Sequence, residues 1–228
     1  HLLVTTKAYA VMPALASVAH RLKDAAHVVL MVNGMGLDGP IRAAYPGVAL
    51  TLATTTEGAY RRADRSVRHA GTGSTQMGAV DSVVAAPDWF NTFERAVPGC
   101  RWEADMAACL WRKLAINAAI NPLTAVLGCT NGELAGEPAE QVRTLCNEIS
   151  AVATAAGMAR AVTDLERVVF DVINNTAGNR SSMLQDMDAA RPTEIEYITG
   201  WLVEQANSLG VDVSNNARLL EAVRHHAH

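Results

Sequence analysis

Three polar side chains recur at a fixed spacing within an otherwise apolar stretch of the sequence. Lys113, Asn117 and Asn121 occupy positions i, i+4 and i+8 of a segment that is rich in Ala, Ile and Leu. This spacing predicts that the three side chains form one stripe on one helix. Asparagine is a poor helix former, so two asparagines here require a reason. One interpretation is a polar face, and another is that Asn121 caps the helix next to Pro122. The third is a row of donors facing a cleft, with Lys113 as the acid.

A second set of candidates follows apolar runs that are typical of buried strands. The segment Asn33-Gly34-Met35-Gly36 comes directly after the apolar run 27–32, and Lys7 directly follows the run 1–6. In open α/β sheets ligands bind outside the carboxyl ends of the strands, and glycines there let the backbone approach a ligand. The alternative interpretations are a tight strand-to-helix turn for the glycines and an exposed loop position for the lysine.

A third set of candidates stands where helices are predicted to begin. Ser181 and Ser182 are good helix-start residues, and a helix N-terminus favours an anion such as a substrate carboxylate. Ordinary capping is the alternative for both serines. Glu194 lies in a predicted first helical turn, where a negative charge interacts favourably with the helix dipole. This position can therefore be explained without a function.

Strand and helix signals alternate through the first part of the chain, which predicts a βαβ arrangement with a parallel sheet. The apolar, strand-like runs are residues 1–6, 27–32 and 48–56. Helical periodicity separates them at residues 8–24 and again up to about residue 45. We predict that residues 68–80 form a hairpin that completes the sheet, with Gly71-Thr72-Gly73 as its turn.

The remainder of the chain has helical periodicity almost throughout. The predicted helices span residues 105–127, 138–157, 165–176, 181–190 and 193–209. The fold class predicted from these patterns is therefore α/β followed by all-α. We place the domain boundary between an α/β domain at 1–104 and a helical domain at 105–228.

Composition narrows the classes of function. Half of the 228 residues are hydrophobic and the net charge is −4, with no basic block that would indicate a nucleic-acid partner. No apolar run approaches the ~18 residues of a membrane helix, and no signal peptide is recognisable. The four cysteines show no CxxC spacing, so neither a metal site nor a disulfide framework is predicted. We expect a cytoplasmic protein with reduced thiols.

Taken together, these segments resemble the ketopantoate reductases in their order and spacing. The matching stretches are residues 4–9, 33–36, 113–125, 131–134, 181–186 and 193–195. The resemblance covers nearly the whole chain. It implies an incomplete Rossmann-type NADP-binding domain at 1–104 and an all-helical substrate and dimerisation domain at 105–228, in the manner of 6-phosphogluconate dehydrogenase. A homodimer is left open.

The resemblance also implies an activity and a role for each candidate. The activity is the NADPH-dependent reduction of 2-dehydropantoate (ketopantoate) to pantoate, a step of pantothenate and coenzyme A biosynthesis. Lys113 matches the general acid of the family. The residues that match substrate contacts are Asn33, Asn117, Asn121, Asn131 and Ser182. The residues that match cofactor contacts are Lys7, Asn33, Ala59 and Glu194, with Ala59 contributing its backbone.

The sequence departs from the family at the dinucleotide fingerprint. The family opens with a strand, a GxGxxG turn and a helix ahead of the position of Lys7, and we expect this fingerprint to be missing, since Gly71-Thr72-Gly73 is only a fragment of it. The chain is then a truncated product, a fragment, or a natural short homologue that does not bind dinucleotide. Two other functions stay open: a non-catalytic dimerisation or ligand-binding module, and a different 2-hydroxy acid dehydrogenase.

Overall fold

The computed structural model describes residues 1–62, 65–80 and 85–226, and the chain divides into two compact units. The first unit comprises His1–Val32 and Leu37–Cys109, and the second comprises Asn33–Gly36 and Leu110–His228. The short segment Asn33–Gly36 thus belongs with the helices that follow, although its neighbours in the sequence belong with the sheet. The domain boundary predicted between residues 104 and 105 stays a prediction.

The first unit is built on a mostly parallel sheet, as predicted. The strands of the described residues are β1 (Leu2–Val4), β2 (His27–Met31), β3 (Ala49–Thr55), β4 (Gly58–Arg61), β5 (Val67–Gly71), β6 (Thr75–Ala79) and β7 (Cys100–Trp102). Five of them form one sheet in the order β1-β2-β3-β6-β7. Neighbouring strands are parallel except for β3 and β6, which are antiparallel. The carboxyl ends of β1, β2 and β3 therefore lie at the same edge of the sheet.

The predicted hairpin at 68–80 is wrong, because its two halves lie in different sheets. β5 pairs with β4 in a separate two-stranded sheet, whereas β6 pairs with β3. The backbone N–H of Thr56 donates to the carbonyl of Ser74 at 3.0 Å. A Cβ at Gly73 would lie only 2.3 Å from the carbonyl carbon of Thr56. The glycine-containing turn therefore returns the chain to β3 and does not fold it back on β5.

The helices of the first unit cover the sheet with apolar side chains. They are α1 (Val11–Val18), α2 (Asp38–Ala44) and α3 (Phe90–Ala96). The predicted helix at 8–24 is shorter in the structure, because 3₁₀ turns flank α1 at Ala8–Ala10 and Ala19–Arg21. Sequence analysis predicted neither α3 nor β7. One buried cluster joins α3 to four strands of the sheet, β7 among them, and its members are Val29, Ala53, Met77, Phe90 and Cys100.

The second unit is helical, as predicted. Its helices are α4 (Met106–Leu127), which begins in the first unit, α5 (Ala139–Ala155), α6 (Leu165–Asn175), α7 (Ser182–Asp188), α8 (Trp201–Leu209) and α9 (Ser214–His226). The helix predicted from residue 193 begins instead as a π-helical segment, Glu196–Gly200, that leads into α8. None of the helices in the described part of the chain is long and apolar enough to cross a membrane.

The core of the second unit follows helical periodicity. On α5 the buried residues Val142, Leu145, Ile149 and Val152 recur at the spacing of a single helix face. α9 is attached to α5 by a carboxylate: Glu148 accepts hydrogen bonds from the backbone N–H groups of Asn215 and Asn216 at 3.0 and 2.9 Å. The side-chain amides of both asparagines bind Glu148 as well.

Candidate active site

Lys113 lies within α4, where burial and a neighbouring carboxylate shift its pKa in opposite directions. Desolvation lowers the pKa of Lys113 from 10.5 to about 8, and the negative charge of Glu194 partly offsets this by raising it. A lysine with such a pKa is still protonated at neutral pH, yet it releases a proton more readily than an exposed lysine does. Its properties are those of a general acid.

Glu194 connects this lysine to the segment that follows β2. The residue is only 4% exposed. Its Oε2 accepts a hydrogen bond of 3.1 Å from Nδ2 of Asn33. Because a buried carboxylate requires polar partners, the amide and the ammonium together stabilise it. The structure thus brings together three residues, Asn33, Lys113 and Glu194, that sequence analysis selected from three separate stretches.

The position of Asn33 is fixed by the close packing of two glycines that follow it, Gly34 and Gly36. The backbone N–H of Met35 donates to the carbonyl of Tyr197, in the π-helical segment, at 2.9 Å. Gly34 has a φ of +84°, and a Cβ there would lie 2.4 Å from that same oxygen. Gly36 has a φ of +93°, and its Cβ would lie 2.6 Å from Cδ1 of Trp201. Only glycine fits at both positions, so the segment Asn33–Gly36 packs directly against the π-helical segment and the start of α8.

The two asparagines of the stripe lie on the same helix as Lys113. Asn117 is half-buried, and Asn121 is 8% exposed. The suggestion that Asn121 caps the helix is wrong, because α4 continues through Pro122 to Leu127. Proline has no backbone N–H, so the carbonyl of Ala118 loses its helical donor next to the stripe.

A buried hydroxyl pair joins this helix to the start of α7. Oγ1 of Thr124 lies 2.8 Å from Oγ of Ser181, and both residues are buried. Ser181 is also the N-cap of α7, where its Oγ accepts from the N–H of Leu184 at 3.1 Å. Ser182 is the exposed first residue of that helix. Sequence analysis missed Thr124, although a polar residue seven positions after Asn117 lies on the same helix face.

Asn131 is held against the segment that leads to α7. The residue is 8% exposed, and its Nδ2 donates to Oγ1 of Thr176 at 2.9 Å. Its backbone N–H donates to the carbonyl of Asn179 at 2.9 Å. Thr130 and Glu133 form a capping box around this 3₁₀ turn. Thr176 is a second contact that sequence analysis did not identify, because its partner is 45 positions away.

Lys7 and Ala59 belong to the first unit. Lys7 precedes the 3₁₀ turn after β1, and Ala59 is an exposed residue of β4. Their contacts to a cofactor stay a prediction.

A GxGxxG pattern occurs in the sequence, at a place other than the one where the family carries its dinucleotide fingerprint. Gly34-Met35-Gly36-Leu37-Asp38-Gly39 matches GxGxxG and runs from the turn after β2 into the first turn of α2. Its first two glycines, however, are required by the packing against Tyr197 and Trp201. The helix that follows has only seven residues. Packing therefore accounts for this pattern, and it gives no support for a pyrophosphate site.

The fold and this cluster define a class of protein. An α/β unit is followed by a helical unit that carries a lysine of lowered pKa together with asparagine side chains. The family model described as "Ketopantoate reductase PanE/ApbA C terminal" matches residues 105–227. The model described as "Ketopantoate reductase PanE/ApbA" matches residues 1–82. The chain belongs to the ketopantoate reductase family.

Individual relatives agree with the family assignment. The chain is 38% identical over 224 residues to a 2-dehydropantoate 2-reductase of Shigella flexneri, a match that covers 98% of this chain and 73% of the relative. A crystal structure of a PanE/ApbA family ketopantoate reductase from Ralstonia eutropha JMP134 superposes with a TM-score of 0.87 at 24% identity, covering 99% of this chain and 74% of that one. A D-mandelate dehydrogenase bound to NADH and anilino(oxo)acetate superposes with a TM-score of 0.85 at 21% identity, covering 100% and 76%. The two superpositions support the fold.

Proposed function

We propose that this chain reduces 2-dehydropantoate to pantoate with NADPH as the hydride donor, in the synthesis of pantothenate and coenzyme A. The observation that carries the proposal is the lowered pKa of Lys113 beside the buried Glu194. The choice of substrate is supported by family membership, since relatives that are 38% and 35% identical to this chain are named 2-dehydropantoate 2-reductases.

In the proposed mechanism Lys113 acts on the keto oxygen of the substrate. When bound, NADPH supplies the hydride that the keto carbon accepts. Negative charge then develops on the keto oxygen, and the ammonium of Lys113 stabilises this charge and transfers a proton from Nζ. Its lowered pKa makes that transfer easier than it is from an exposed lysine.

The amides and the serine orient the substrate in this proposal. Asn117 and Asn121 share the helix of the acid, and Ser182 begins a helix that the hydroxyl pair of Thr124 and Ser181 ties to α4. Neutral donors of this kind hold a carboxylate or a hydroxyl without changing the charge that Lys113 experiences. Asn33 and Asn131 complete the proposed set of substrate contacts.

The residues fit one end of the cofactor. A buried carboxylate that is hydrogen-bonded to a carboxamide, as in Glu194 and Asn33, suits the hydroxyl groups of a ribose. We propose that these two residues, with Lys7 and the backbone of Ala59, hold the nicotinamide end. The preference for NADP over NAD, the cytoplasmic location and the homodimer stay predictions.

The test is the consumption of NADPH by the full chain with 2-dehydropantoate as substrate. We expect Lys113→Ala to lower kcat by about 10²-fold or more, because a positioned acid contributes a factor of this size. Lys23→Ala, at an exposed lysine, is the matched control and should turn over at the wild-type rate. A near-normal rate for Lys113→Ala removes the lysine from the acid role. No turnover by folded wild-type chain favours the non-catalytic module.

A further inference from the structure

The side-chain amide of Asn131 is satisfied on one side only. Nδ2 donates to Oγ1 of Thr176 at 2.9 Å. Oδ1 is buried and has no hydrogen-bond partner among the described residues, while the residue as a whole is 8% exposed. A buried carbonyl oxygen without a donor is costly, and native proteins rarely keep one unless a ligand or an ordered water completes it. This oxygen therefore marks a place where a donor is expected.

Thr176 determines which end of the amide faces it. The hydroxyl of Thr176 lies 2.6 Å from the carbonyl of Val172 and donates its single hydrogen to that oxygen. Toward Asn131 the hydroxyl can then only accept, so Asn131 must present its NH₂ group. The opposite orientation would place two acceptors against each other. The hydrogen-bond chain from Val172 through Thr176 thus leaves Oδ1, an acceptor, as the available atom of Asn131.

The unpartnered oxygen belongs to the part of the second unit that carries other proposed substrate contacts. The N–H groups of Asn131 and Gly132 donate to the carbonyls of Asn179 and Ala177 at 2.9 and 3.0 Å. The segment that supplies these carbonyls continues directly to Ser181, whose hydroxyl lies 2.8 Å from that of Thr124 on α4. One continuous stretch of chain therefore connects Asn131 with Ser182 and with the helix that carries Asn121.

The substrate has one group that this oxygen can bind. In 2-dehydropantoate the carboxylate and the keto oxygen are acceptors, and the primary hydroxyl is the only donor. An amide oxygen therefore pairs with the hydroxyl and repels the carboxylate. We propose that Thr176 is a positioning residue for specificity: it orients Asn131 so that Oδ1 accepts a hydrogen bond from the hydroxyl of a hydroxylated 2-keto acid. This inference rests on the proposed function.

The test compares two keto acids that differ only in the hydroxymethyl group that carries this hydroxyl. The probes are 2-dehydropantoate and 3-methyl-2-oxobutanoate, which has the same branched carbon with a hydrogen in place of the hydroxymethyl group. Thr176→Val removes the hydroxyl at nearly constant shape, and Thr176→Ser restores it. Thr144→Val is the matched control, because Thr144 also donates to the carbonyl four residues earlier, at 3.0 Å, on an exposed face of α5. Binding to the full chain is measured by calorimetry, and kcat and KM are measured where there is turnover.

We expect Thr176→Val to weaken binding of 2-dehydropantoate about 10-fold, the loss that corresponds to one hydrogen bond. Its affinity for 3-methyl-2-oxobutanoate should be unchanged, and KM for 2-dehydropantoate should rise more than kcat falls. Thr176→Ser and Thr144→Val should both behave as wild type. If Thr176→Val does not fold, Thr176→Ala repeats the comparison without placing a second methyl group against Asn131.

Different failures have different meanings. Equal weakening for both keto acids would show a purely structural role for Thr176, and unchanged binding of both would show no role; either result overturns the inference. A wild-type chain that binds the two acids equally well also overturns it, while leaving the proposed function in place. A folded wild-type chain that binds neither acid overturns the proposed function, and the inference with it.

Discussion

At the scale of single residues, the ionisation of Lys113 sets an alkaline limit for the proposed reaction. A general acid must be protonated in the free enzyme, and desolvation lowers the pKa of this lysine to about 8. We therefore expect kcat/KM to fall as the pH rises through about 8, whereas an unperturbed lysine would sustain activity to about pH 10.4. A pH–rate profile checks this. A profile that stays level up to about pH 10 would contradict the acid role of Lys113.

Glu194 provides the control for that profile. Its negative charge raises the pKa of Lys113 against the effect of burial. Glu194→Gln removes the charge at nearly constant shape, so the lysine should lose its proton at a lower pH. We expect the alkaline limb of kcat/KM to move toward acidic pH in this variant, whatever happens to the absolute rate. An unmoved limb would mean that Glu194 does not act on the titrating group.

At the scale of elements, substitutions at the glycines that follow β2 distinguish a role in packing from a role in ligand binding. Gly34→Ala introduces a Cβ 2.4 Å from the carbonyl oxygen of Tyr197 at a φ of +84°. We expect it to lower the free energy of unfolding by about 2 kcal/mol or more, from strain and overlap together, and to displace Asn33 from Glu194. Urea denaturation and kcat/KM measure the two effects.

Gly39 is the matched control within the same GxGxxG pattern. A Cβ at this position meets nothing within 4 Å, and the residue lies in the first turn of α2. Gly39→Ala should leave activity unchanged and stabilise the fold slightly, because alanine favours a helix. If both variants lost NADPH binding while remaining folded, the pattern would be a dinucleotide site and the packing explanation would be wrong.

The same turn shows how far the sequence determines the elements. Periodicity was sufficient for β2 and for most of the helices from α4 onward, because their apolar residues recur at fixed local intervals. Periodicity did not predict contacts between residues that are distant in the sequence. Examples are the packing of Gly34 against Tyr197 and the hydrogen bond between Asn131 and Thr176, which no local pattern indicates. The hairpin predicted from Gly71-Thr72-Gly73 is wrong for the same reason. The pairing of β6 with β3, and not with β5, is visible only in the folded chain.

One carboxylate holds the N-terminus of α9. Glu148 accepts four hydrogen bonds from Asn215 and Asn216 and so caps the helix from another element. We expect Glu148→Ala to lower the free energy of unfolding by about 2 kcal/mol, since donors at a helix N-terminus lose a charged acceptor. Glu140→Ala, on the same helix, removes an exposed ion pair with Arg143 and should change little. Equal urea midpoints for the two variants would contradict this role of Glu148.

At the scale of the whole molecule, each unit has its own core, and the second unit contains the proposed acid with all the proposed substrate contacts. Asn33 is included because its segment is part of that unit, although the neighbouring residues on both sides belong to the first. Binding of a 2-keto acid therefore tests the second unit, whereas consumption of NADPH requires both. A chain that binds the acid without turnover would locate the defect on the cofactor side.

At the scale of the whole molecule too, the edge that β1 forms among the described residues should favour self-association of this 228-residue chain. β1 is the terminal strand of its sheet and pairs with β2 alone among the described residues. Its outward-facing Leu3 is 46% exposed, and the strand carries no charge or proline. Exposed apolar edge strands pair with other chains, so we expect wild-type chain to show a mass above that of a monomer by light scattering at high concentration.

Leu3→Lys places a charge on the edge and should restore the monomer mass. Leu127→Lys, at a leucine of similar exposure at the end of α4, should not. A wild-type chain that is a uniform monomer at every concentration would show that this edge does not mediate association.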